Sequence, residues 1–364
     1  MYDYLIVGAG LCGAVIARVL TDNGKSCLVI DKRNVTGGNI RTEKMSDIDV
    51  HVYGAHIFHT SDEIVWKFLN QYVSFNNFIN SPIANYKGEV FNLPFNMNTF
   101  NELWGAITPE EAKRIIEEQR SHIKEPRNLE EFCLNTVGPD IYEILIKGYT
   151  EKQWGKPCKE LDASIIKRIP LRFTYDNNYF SDKYQGIPIE GYNTLISRLL
   201  EGISVELGCD YNVSNKEYRD KAKKVIYTGA LDEYYKYCFG ELEYRSLMFL
   251  HYEMDVKDYQ GNAVVNYTSN EEPYTRIVEH KHFSKVDTPK TVITKEYPKK
   301  WSKELEKFYP MNDKRNNAKY QLYRKKAEHD GLLFAGRLAE YKYYDMDDTV
   351  RTALDLAERE LKNG

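Results

Sequence analysis

The chain opens with short apolar runs separated by glycine turns. Residues 4–7 are apolar, residues 8–13 read GAGLCG, and residues 14–20 have helical spacing. A second apolar run at residues 27–30 ends in an aspartate. This order predicts a strand, a glycine turn, a helix and a second strand, which together begin a parallel sheet covered by helices.

The first glycine turn and the acid after the second strand indicate a dinucleotide site. Gly8, Gly10 and Gly13 permit a tight turn and a close approach of the backbone to a pyrophosphate, which the free N–H groups of the following helix also favour. Asp31 is placed to accept hydrogen bonds from both ribose hydroxyls of an adenosine. We therefore predict nucleotide binding here, and not merely a glycine-rich turn of an ordinary α/β protein.

The pattern becomes helical from about residue 98 to residue 148. Thr108 and Asn128 each precede a glutamate by three positions, which is the spacing of a capped helix start. A third helix over residues 140–147 is expected to end at Gly148. These helices predict a small helical lobe inserted into the nucleotide-binding fold.

Other segments extend this outline. Thr60 with Glu63 predicts a capping box, and residues 192–201 predict a helix. Residues 244–297 alternate with period two, which predicts antiparallel strands. The remaining predictions are a return to the parallel sheet at residues 225–227, a buried strand at 332–335, and a last helix capped by the acidic residues 345–348.

Composition excludes several classes of protein. With 50 Lys+Arg against 54 Asp+Glu and no long basic run, a nucleic-acid partner is not expected. No apolar run is long enough for membrane insertion, and no secretory signal is recognisable. The 6 cysteines form no CxxC pair, which favours a reduced, cytoplasmic setting. The 29 tyrosines suit a site that stacks bases and hydrogen-bonds sugars or phosphates, although most are expected to be packing residues.

Four separated glycine landmarks favour FAD over NAD. They are the first glycine turn, a turn at Gly37-Gly38, a strand leading into Gly229, and a late strand leading into Gly336-Arg337. This arrangement is similar to that of FAD proteins of the glutathione reductase group. A nicotinamide-dependent flavoprotein would carry a second strand, GxGxxG and helix unit in mid-chain, and none is recognisable here.

Longer strings are more specific. They are YGAHIFHT at 53–60, FNLPFN at 91–96, KGYTEKQWG at 147–155, IKRIP at 166–170, YTR with EHKHF at 274–283, and GRLAEYKYYDM at 336–346. Together they resemble the bacterial UDP-galactopyranose mutase family. The resemblance runs from the first residue to the C-terminal helix.

The resemblance implies a homodimeric flavoenzyme that interconverts UDP-α-D-galactopyranose and UDP-α-D-galactofuranose for cell-surface polysaccharide. Reduced FAD would bond through N5 to the sugar C1 while UDP leaves, without net oxidation. The implied fold is α/β, an FAD-binding Rossmann-like parallel sheet domain with an inserted helical lobe and an antiparallel β-sheet lobe. We expect residues 1–78, 186–240 and 312–364 in the first unit, 79–160 in the second, and 161–185 with 241–311 in the third.

The resemblance also assigns site residues. Arg168 and Arg276 are the catalytic candidates, because a guanidinium grips a diphosphate through two N–H groups. Residues 161–173, around Arg168, would form a closing loop. The substrate candidates are Asn80, Tyr149, Thr150, Trp154, Tyr179, Asn266, Tyr309, Tyr343 and Asp345. The cofactor candidates are Gly8, Gly10, Cys12, Gly13, Asp31, Lys32, Gly38, Asn39, His56, Ile57, Asp210, Tyr211, Gly229, Arg337, Tyr344 and Met346. Leu145 and Ile146 replace aromatic residues of some relatives, so a two-sided uracil sandwich is not expected.

Other functions were weighed against this one. His56 with His59, and His280 with His282, have metal-pair spacing, but no ligand set accompanies them and we expect no metal. No GxSxG motif supports a hydrolase. A flavin amine oxidase or desaturase, and a non-catalytic binding module of the same fold, are the rival interpretations. The sequence leaves open whether UDP-N-acetylgalactosamine or UDP-arabinopyranose is accepted.

Overall fold

The computed structural model describes residues 1–166 and 171–363. Within these ranges the strands are β1 Tyr2–Val7, β2 Cys27–Asp31, β3 Thr42–Met45, β4 Ile48–His51, β5 Phe58–Thr60, β6 Ile83–Tyr86, β7 Glu89–Asn92, β8 Tyr184–Gly186, β9 Ser204–Leu207, β10 Ala222–Tyr227, β11 Tyr244–Met254, β12 Val264–Tyr267, β13 Arg276–Glu279, β14 Thr291–Lys300, β15 Tyr309–Pro310 and β16 Leu333–Phe334.

The α-helices of the same ranges are α1 Leu11–Asp22, α2 Glu63–Leu69, α3 Met97–Trp104, α4 Pro109–Gln119, α5 Leu129–Ile141, α6 Gly148–Trp154, α7 Tyr192–Leu199, α8 Tyr211–Arg219, α9 Leu231–Tyr234, α10 Lys281–Ser284, α11 Lys314–His329 and α12 Met346–Asn363. Short 3-10 helices cover Gly38–Ile40, Cys158–Glu160 and Ala163–Ile166, and a π-helix covers Tyr142–Lys147.

A five-stranded parallel sheet contains the first two strands of the chain. Its strand order is β16-β10-β1-β2-β9, so the first strand lies in the centre. Seven of the eleven residues of β1 and β2 are buried and the other four are half-buried, as expected for a sheet with helices on both faces. Helices α1 and α12 pack against each other on one face. These strands confirm the predicted strand, glycine turn, helix and strand.

A second sheet confirms the period-two prediction. Its order is β15-β11-β14-β13-β12-β6-β7, and all neighbours are antiparallel except β12 and β6. The hairpin β6–β7 lies within residues 79–160, which the sequence assigned to the helical lobe. The helices of that segment therefore begin only at Met97, because residues 83–92 extend the antiparallel sheet.

The predicted helix starts are confirmed at two positions and wrong at a third. Thr108 and Asn128 are the N-caps of α4 and α5. The cap of α2 is Asp62, whose carboxylate accepts from two main-chain N–H groups, whereas Thr60 accepts only from the Asp62 N–H. An aspartate closer to the helix competes effectively for the free N–H groups, so the start moves by two residues.

Gly148 does not end a helix, contrary to the sequence-based prediction. Its φ is −64°, so helical backbone continues from the π-helix through Gly148 into α6, which is followed by a left-handed Gly155. A Cβ at position 148 would lie 2.3 Å from the Thr268 carbonyl oxygen. The glycine therefore allows close approach of the helix to the antiparallel sheet, and the true helix stop lies seven residues later.

In the described ranges no helix is both long and apolar enough to cross a membrane.

Candidate functional site

A cavity lies at the carboxyl edge of the parallel sheet, where ligands bind in open α/β folds. Fourteen of the sixteen predicted cofactor residues line it: Gly8, Gly10, Cys12, Gly13, Asp31, Lys32, Gly38, Asn39, His56, Asp210, Tyr211, Gly229, Arg337 and Met346. Ile57 is buried in the core, and Tyr344 meets the cavity wall through its carbonyl, which accepts from Arg337 Nε at 3.0 Å. The structure thus collects residues from several separate segments of the chain around one cavity.

The two glycine turns, at Gly10 and at Gly37-Gly38, contact each other through their main chains in this cavity. A Cβ on Gly38 would lie 2.9 Å from the Gly10 Cα, and the φ of Gly38 is +55°. Gly10 also forms a bridge with Gly37. This contact leaves main-chain N–H groups and the start of α1 facing the cavity, as a pyrophosphate requires.

Asp31 fixes the first turn. Its Oδ2 accepts from the Ala9 N–H at 2.8 Å, and its Oδ1 accepts from the Arg33 N–H at 2.9 Å. Both oxygens retain lone pairs toward the cavity that the side chain lines. The carboxylate can therefore hold the glycine turn and accept ribose hydroxyls together.

Sequence reasoning missed the wall formed by residues 301–307. Trp301, Glu306 and Lys307 line the cavity together with the glycine turns. Lys307 is buried, pairs with Asp232 at 3.1 Å and lies 4.6 Å from the Trp301 ring centre. Glu306 pairs with Arg33 at 3.2 Å. No glycine motif marks this segment, so the sequence carried no signal for it.

Arg337 joins the cavity to a second group of predicted residues. Its guanidinium lies 5.1 Å from the Tyr343 ring centre and 5.9 Å from that of Tyr309. The two tyrosine rings stack on each other with centres 5.6 Å apart. A predicted cofactor residue and two predicted substrate residues therefore form one continuous surface.

Arg276 lies beside this surface and is held in place on several sides. Its Nε donates to Asn266 Oδ1 at 3.0 Å, and its Nη2 donates to Tyr149 Oη at 3.1 Å. Its Nη1 lies 3.6 Å from Glu296 Oε2. Burial opposes the charge of Arg276, but the oxygens of Tyr149 and Glu296 outweigh it and raise the pKa of the guanidinium. Arg276 is therefore a positively charged side chain held in a fixed position next to tyrosine side chains.

Glu296 is the buried counter-charge, and sequence reasoning missed it. Its side chain is 6% exposed. Burial raises the pKa of Glu296, while Arg276 acts to lower it. A Cβ on Gly54 would lie 2.7 Å from Glu296 Oε1, so Glu296 also touches the turn that leads to His56. It contacts both the arginine and the turn at the cavity.

Asn80 presents an unused acceptor. The residue is 7% exposed, and its Oδ1 has no hydrogen-bond partner in the described chain. Its backbone is fixed, since its N–H donates to Gln185 and its carbonyl accepts from the Tyr179 N–H. A buried acceptor without a partner is costly, so the fold keeps Asn80 at this position at a cost in stability.

The other substrate candidates differ in their surroundings. Tyr179 interacts electrostatically with Tyr149, Arg276 and Asp345, which places it in the same group. Thr150 is buried in α6, and Trp154 packs against the helical core. Asp345 directly precedes α12, and its carbonyl accepts from the Thr349 N–H. Arg168 lies outside the described residues.

A row of histidines runs from the cavity wall into the antiparallel sheet. The His56 N–H donates to His51 Nδ1 at 3.0 Å, and the His51 N–H donates to His280 Nδ1 at 3.2 Å. Thr294 Oγ1 then lies 2.6 Å from His280 Nε2 and 2.7 Å from His251 Nδ1. Each Nδ1 that accepts a main-chain proton must be unprotonated. Burial lowers the pKa of His51 to about 3 and that of His56 to about 4.

The histidine pairs with metal-like spacing do not converge. His59 bonds Asp182, and His280 bonds Thr294. Asp258, Glu279 and His282 do come together. Glu279, however, already accepts from two main-chain N–H groups and a threonine hydroxyl, so its oxygens are engaged in holding the sheet.

The glycine contact, the sheet order and a match to the NAD(P)-binding Rossmann-like domain over residues 6–72 define a Rossmann-type nucleotide-binding protein. The model of the UDP-galactopyranose mutase family matches residues 144–343, more than half of the chain. The chain therefore belongs to the UDP-galactopyranose mutase family.

Curated relatives agree along the whole chain. A protein of Klebsiella pneumoniae named probable UDP-galactopyranose mutase is 42% identical, covering 99% of this chain and 95% of the relative. A dTDP-fucopyranose mutase of Escherichia coli is 40% identical, covering 100% and 99%. A crystal structure of reduced UDP-galactopyranose mutase shares the fold, with a TM-score of 0.78 at 15% identity over 100% of this chain and 94% of that one.

Proposed function

We propose that the protein is a flavin-dependent mutase that interconverts UDP-galactopyranose and UDP-galactofuranose. One observation carries the proposal. Arg337 lines the nucleotide cavity and stacks on Tyr343 and Tyr309, beside Arg276. A dinucleotide cofactor and a nucleotide diphosphate would therefore lie side by side.

The cavity fits FAD. Gly10 and Gly38 would hold the pyrophosphate through their backbone, Asp31 would accept the ribose hydroxyls of the adenosine, and His56 also lines the cavity. When bound and reduced, FAD supplies a nucleophilic N5 to the anomeric carbon of the sugar without net oxidation.

The residues of this chain would position the substrate and retain the leaving group. Arg276, fixed by Asn266 and Tyr149, offers a cation to the diphosphate, whose charge grows as UDP departs. The stacked hydroxyl-bearing rings of Tyr309 and Tyr343 offer hydrogen bonds without further charge. Asn80 Oδ1 offers an acceptor to a substrate hydroxyl. Holding UDP close allows it to return after the ring contracts.

A second candidate substrate is dTDP-fucopyranose, because the Escherichia coli relative bearing that name is nearly as similar as the Klebsiella pneumoniae one. The reaction class and the role of Arg276 would be the same. The two candidates differ only in the nucleoside and in the sugar C6 substituent.

The test is to incubate dithionite-reduced protein with UDP-galactofuranose and to separate the two ring forms by chromatography. We expect conversion with the reduced protein and not with the oxidised protein. Consumption of an electron acceptor with an amine substrate, without ring isomerisation, would favour an oxidase instead. A higher kcat/KM for the dTDP-fucose pair would move the assignment to the second candidate.

We also propose that the protein acts as a cytoplasmic homodimer, in keeping with the family resemblance and the cysteine usage. Analytical ultracentrifugation measures the oligomeric state directly.

A further inference from the structure

Lys152 lies in an uncommon environment that the proposed reaction does not use. Its Nζ donates to the main-chain carbonyls of Tyr267, Ser269, Glu272 and Tyr274, at 2.9, 2.6, 3.1 and 3.0 Å. An ammonium has only three protons to donate, so it has one carbonyl acceptor more than it has protons. Burial lowers the pKa of Lys152 to about 8, with Glu272 acting to raise it.

Three of these four carbonyls belong to one loop, and the fourth, that of Tyr267, belongs to the strand residue just before it. Residues 268–275 connect β12 to β13. Tyr267 and Arg276 lie immediately before and after this loop, and Asn266 is the neighbour of Tyr267 in β12. Carbonyl oxygens that point together repel one another, so the loop conformation needs a cation at its centre. Lys152 is that cation.

The same lysine belongs to α6, which carries Tyr149 and Thr150. Gly148 lets this helix touch the loop, since a Cβ there would lie 2.3 Å from the Thr268 carbonyl oxygen. At the other end, Arg245 Nε donates to the Gln153 carbonyl at 2.8 Å, and its Nη2 donates to the Lys152 carbonyl at 3.3 Å. Helix α6 is thus fixed on both sides.

We propose that Lys152 is a positioning residue for the diphosphate site, because its ammonium sets the distance between Tyr149 on α6 and Arg276 after the loop. This inference rests on the proposed function. Tyr149 and Arg276 are hydrogen-bonded at 3.1 Å, and Asn266 holds the same guanidinium. A shift of the loop by about 1 Å would break this arrangement, and misplacements of that size cost up to about 100-fold in rate.

The test compares Lys152→Met and Lys152→Ala with the control Lys87→Met. Lys87 pairs with the exposed Glu271 of the same loop at 2.8 Å, so its loss removes a cation without touching the four carbonyls. We expect the Kd for UDP, measured by calorimetry on oxidised protein, to rise about tenfold or more in both Lys152 variants. The control should keep the wild-type Kd.

A second measurement asks whether an added cation restores UDP affinity in Lys152→Ala. A variant that was merely destabilised would not respond to one particular cation. Lys152→Ala leaves four carbonyls facing an emptied position, a ligand set that suits ammonium and potassium ions. Ammonium chloride should restore UDP affinity in Lys152→Ala, whereas sodium chloride at equal ionic strength should not. A wild-type Kd in Lys152→Met, or no rescue in Lys152→Ala, overturns the inference. If the wild-type protein itself binds no UDP, the proposed function fails instead.

Discussion

Arg276 and Glu296 form a cation and carboxylate pair at 3.6 Å, in which Glu296 is 6% and Arg276 27% exposed. Asn266 and Tyr149 hold the other two nitrogens of the same guanidinium. Because β13 and β14 pair directly at these two residues, the sheet register itself sets their separation.

Replacing Arg276 with alanine should lower kcat/KM by about 30- to 4,000-fold, since removing one partner of a buried charge pair costs about 2 to 5 kcal/mol. Lysine should not restore activity, because it cannot bond Asn266 and Tyr149 together. The exposed Arg315 provides the matched control as Arg315→Ala. Near wild-type turnover in Arg276→Ala would remove this arginine from the mechanism.

Asn80→Leu should stabilise the ligand-free protein while weakening substrate binding. The buried Oδ1 without a partner costs about 1 to 3 kcal/mol. We therefore expect the free energy of unfolding in urea to rise by about 1 kcal/mol and KM to increase. Asn85→Leu is the control, because Asn85 Oδ1 already accepts from the Gly88 N–H and its loss should destabilise. A less stable Asn80→Leu protein with unchanged KM would contradict the assignment.

Gly38→Ala should prevent uptake of FAD. The added Cβ would lie 2.9 Å from the Gly10 Cα, and the φ of +55° adds strain. Gly24→Ala is the control. Gly24 also has a positive φ, +77°, but an added Cβ there would meet no atom within 4 Å, so this variant introduces backbone strain without a steric contact. The measurement is flavin absorbance per mole of purified protein. Equal flavin content in the two variants would show that the glycine contact is not needed.

The histidine row should make the protein less stable in acid. Unfolded histidines bind protons below about pH 6.5, whereas His51 and His280 in the folded protein do not, because burial lowers the pKa of both. The free energy of unfolding should therefore fall as pH drops below about 6.5, by up to about 1.4 kcal/mol per pH unit for His51 down to its folded pKa of about 3, and His280 should add to this loss.

His280→Asn tests this acid sensitivity. The asparagine keeps an acceptor for the His51 N–H but does not titrate, so the slope of unfolding free energy against pH should decrease by about 1.4 kcal/mol per pH unit. Urea denaturation at several pH values measures it. The wild-type protein at the same pH values gives the reference slope. An identical slope in His280→Asn would be incompatible with a depressed His280 pKa.

Much of the fold could be predicted because its signals are local. The first glycine turn, the caps at Thr108 and Asn128, and the period-two strands each depend on residues close together in the chain. The sequence wrongly predicted a helix end at Gly148, because glycine is favoured both at the end of a helix and where a helix backbone lies close to another segment. Only the Thr268 carbonyl, 120 positions away, distinguishes the two.

The sequence predicts a candidate site through glycine, arginine and tyrosine motifs, and it missed the residues that support this site in the structure. Glu296, Trp301 and the carbonyls around Lys152 act through contacts between distant segments. A buried glutamate on a strand has no local pattern that separates it from a surface one. Such residues become visible only when the sheet register is known.

The row of histidines has a further consequence for proton traffic. Hopping along a row of rings needs every link to exchange its proton, but the links from His56 to His51 and from His51 to His280 are main-chain N–H groups that never release theirs. These two hydrogen bonds therefore do not pass a proton from ring to ring between His280 and His56, and the row holds its rings in place without conducting protons through these links.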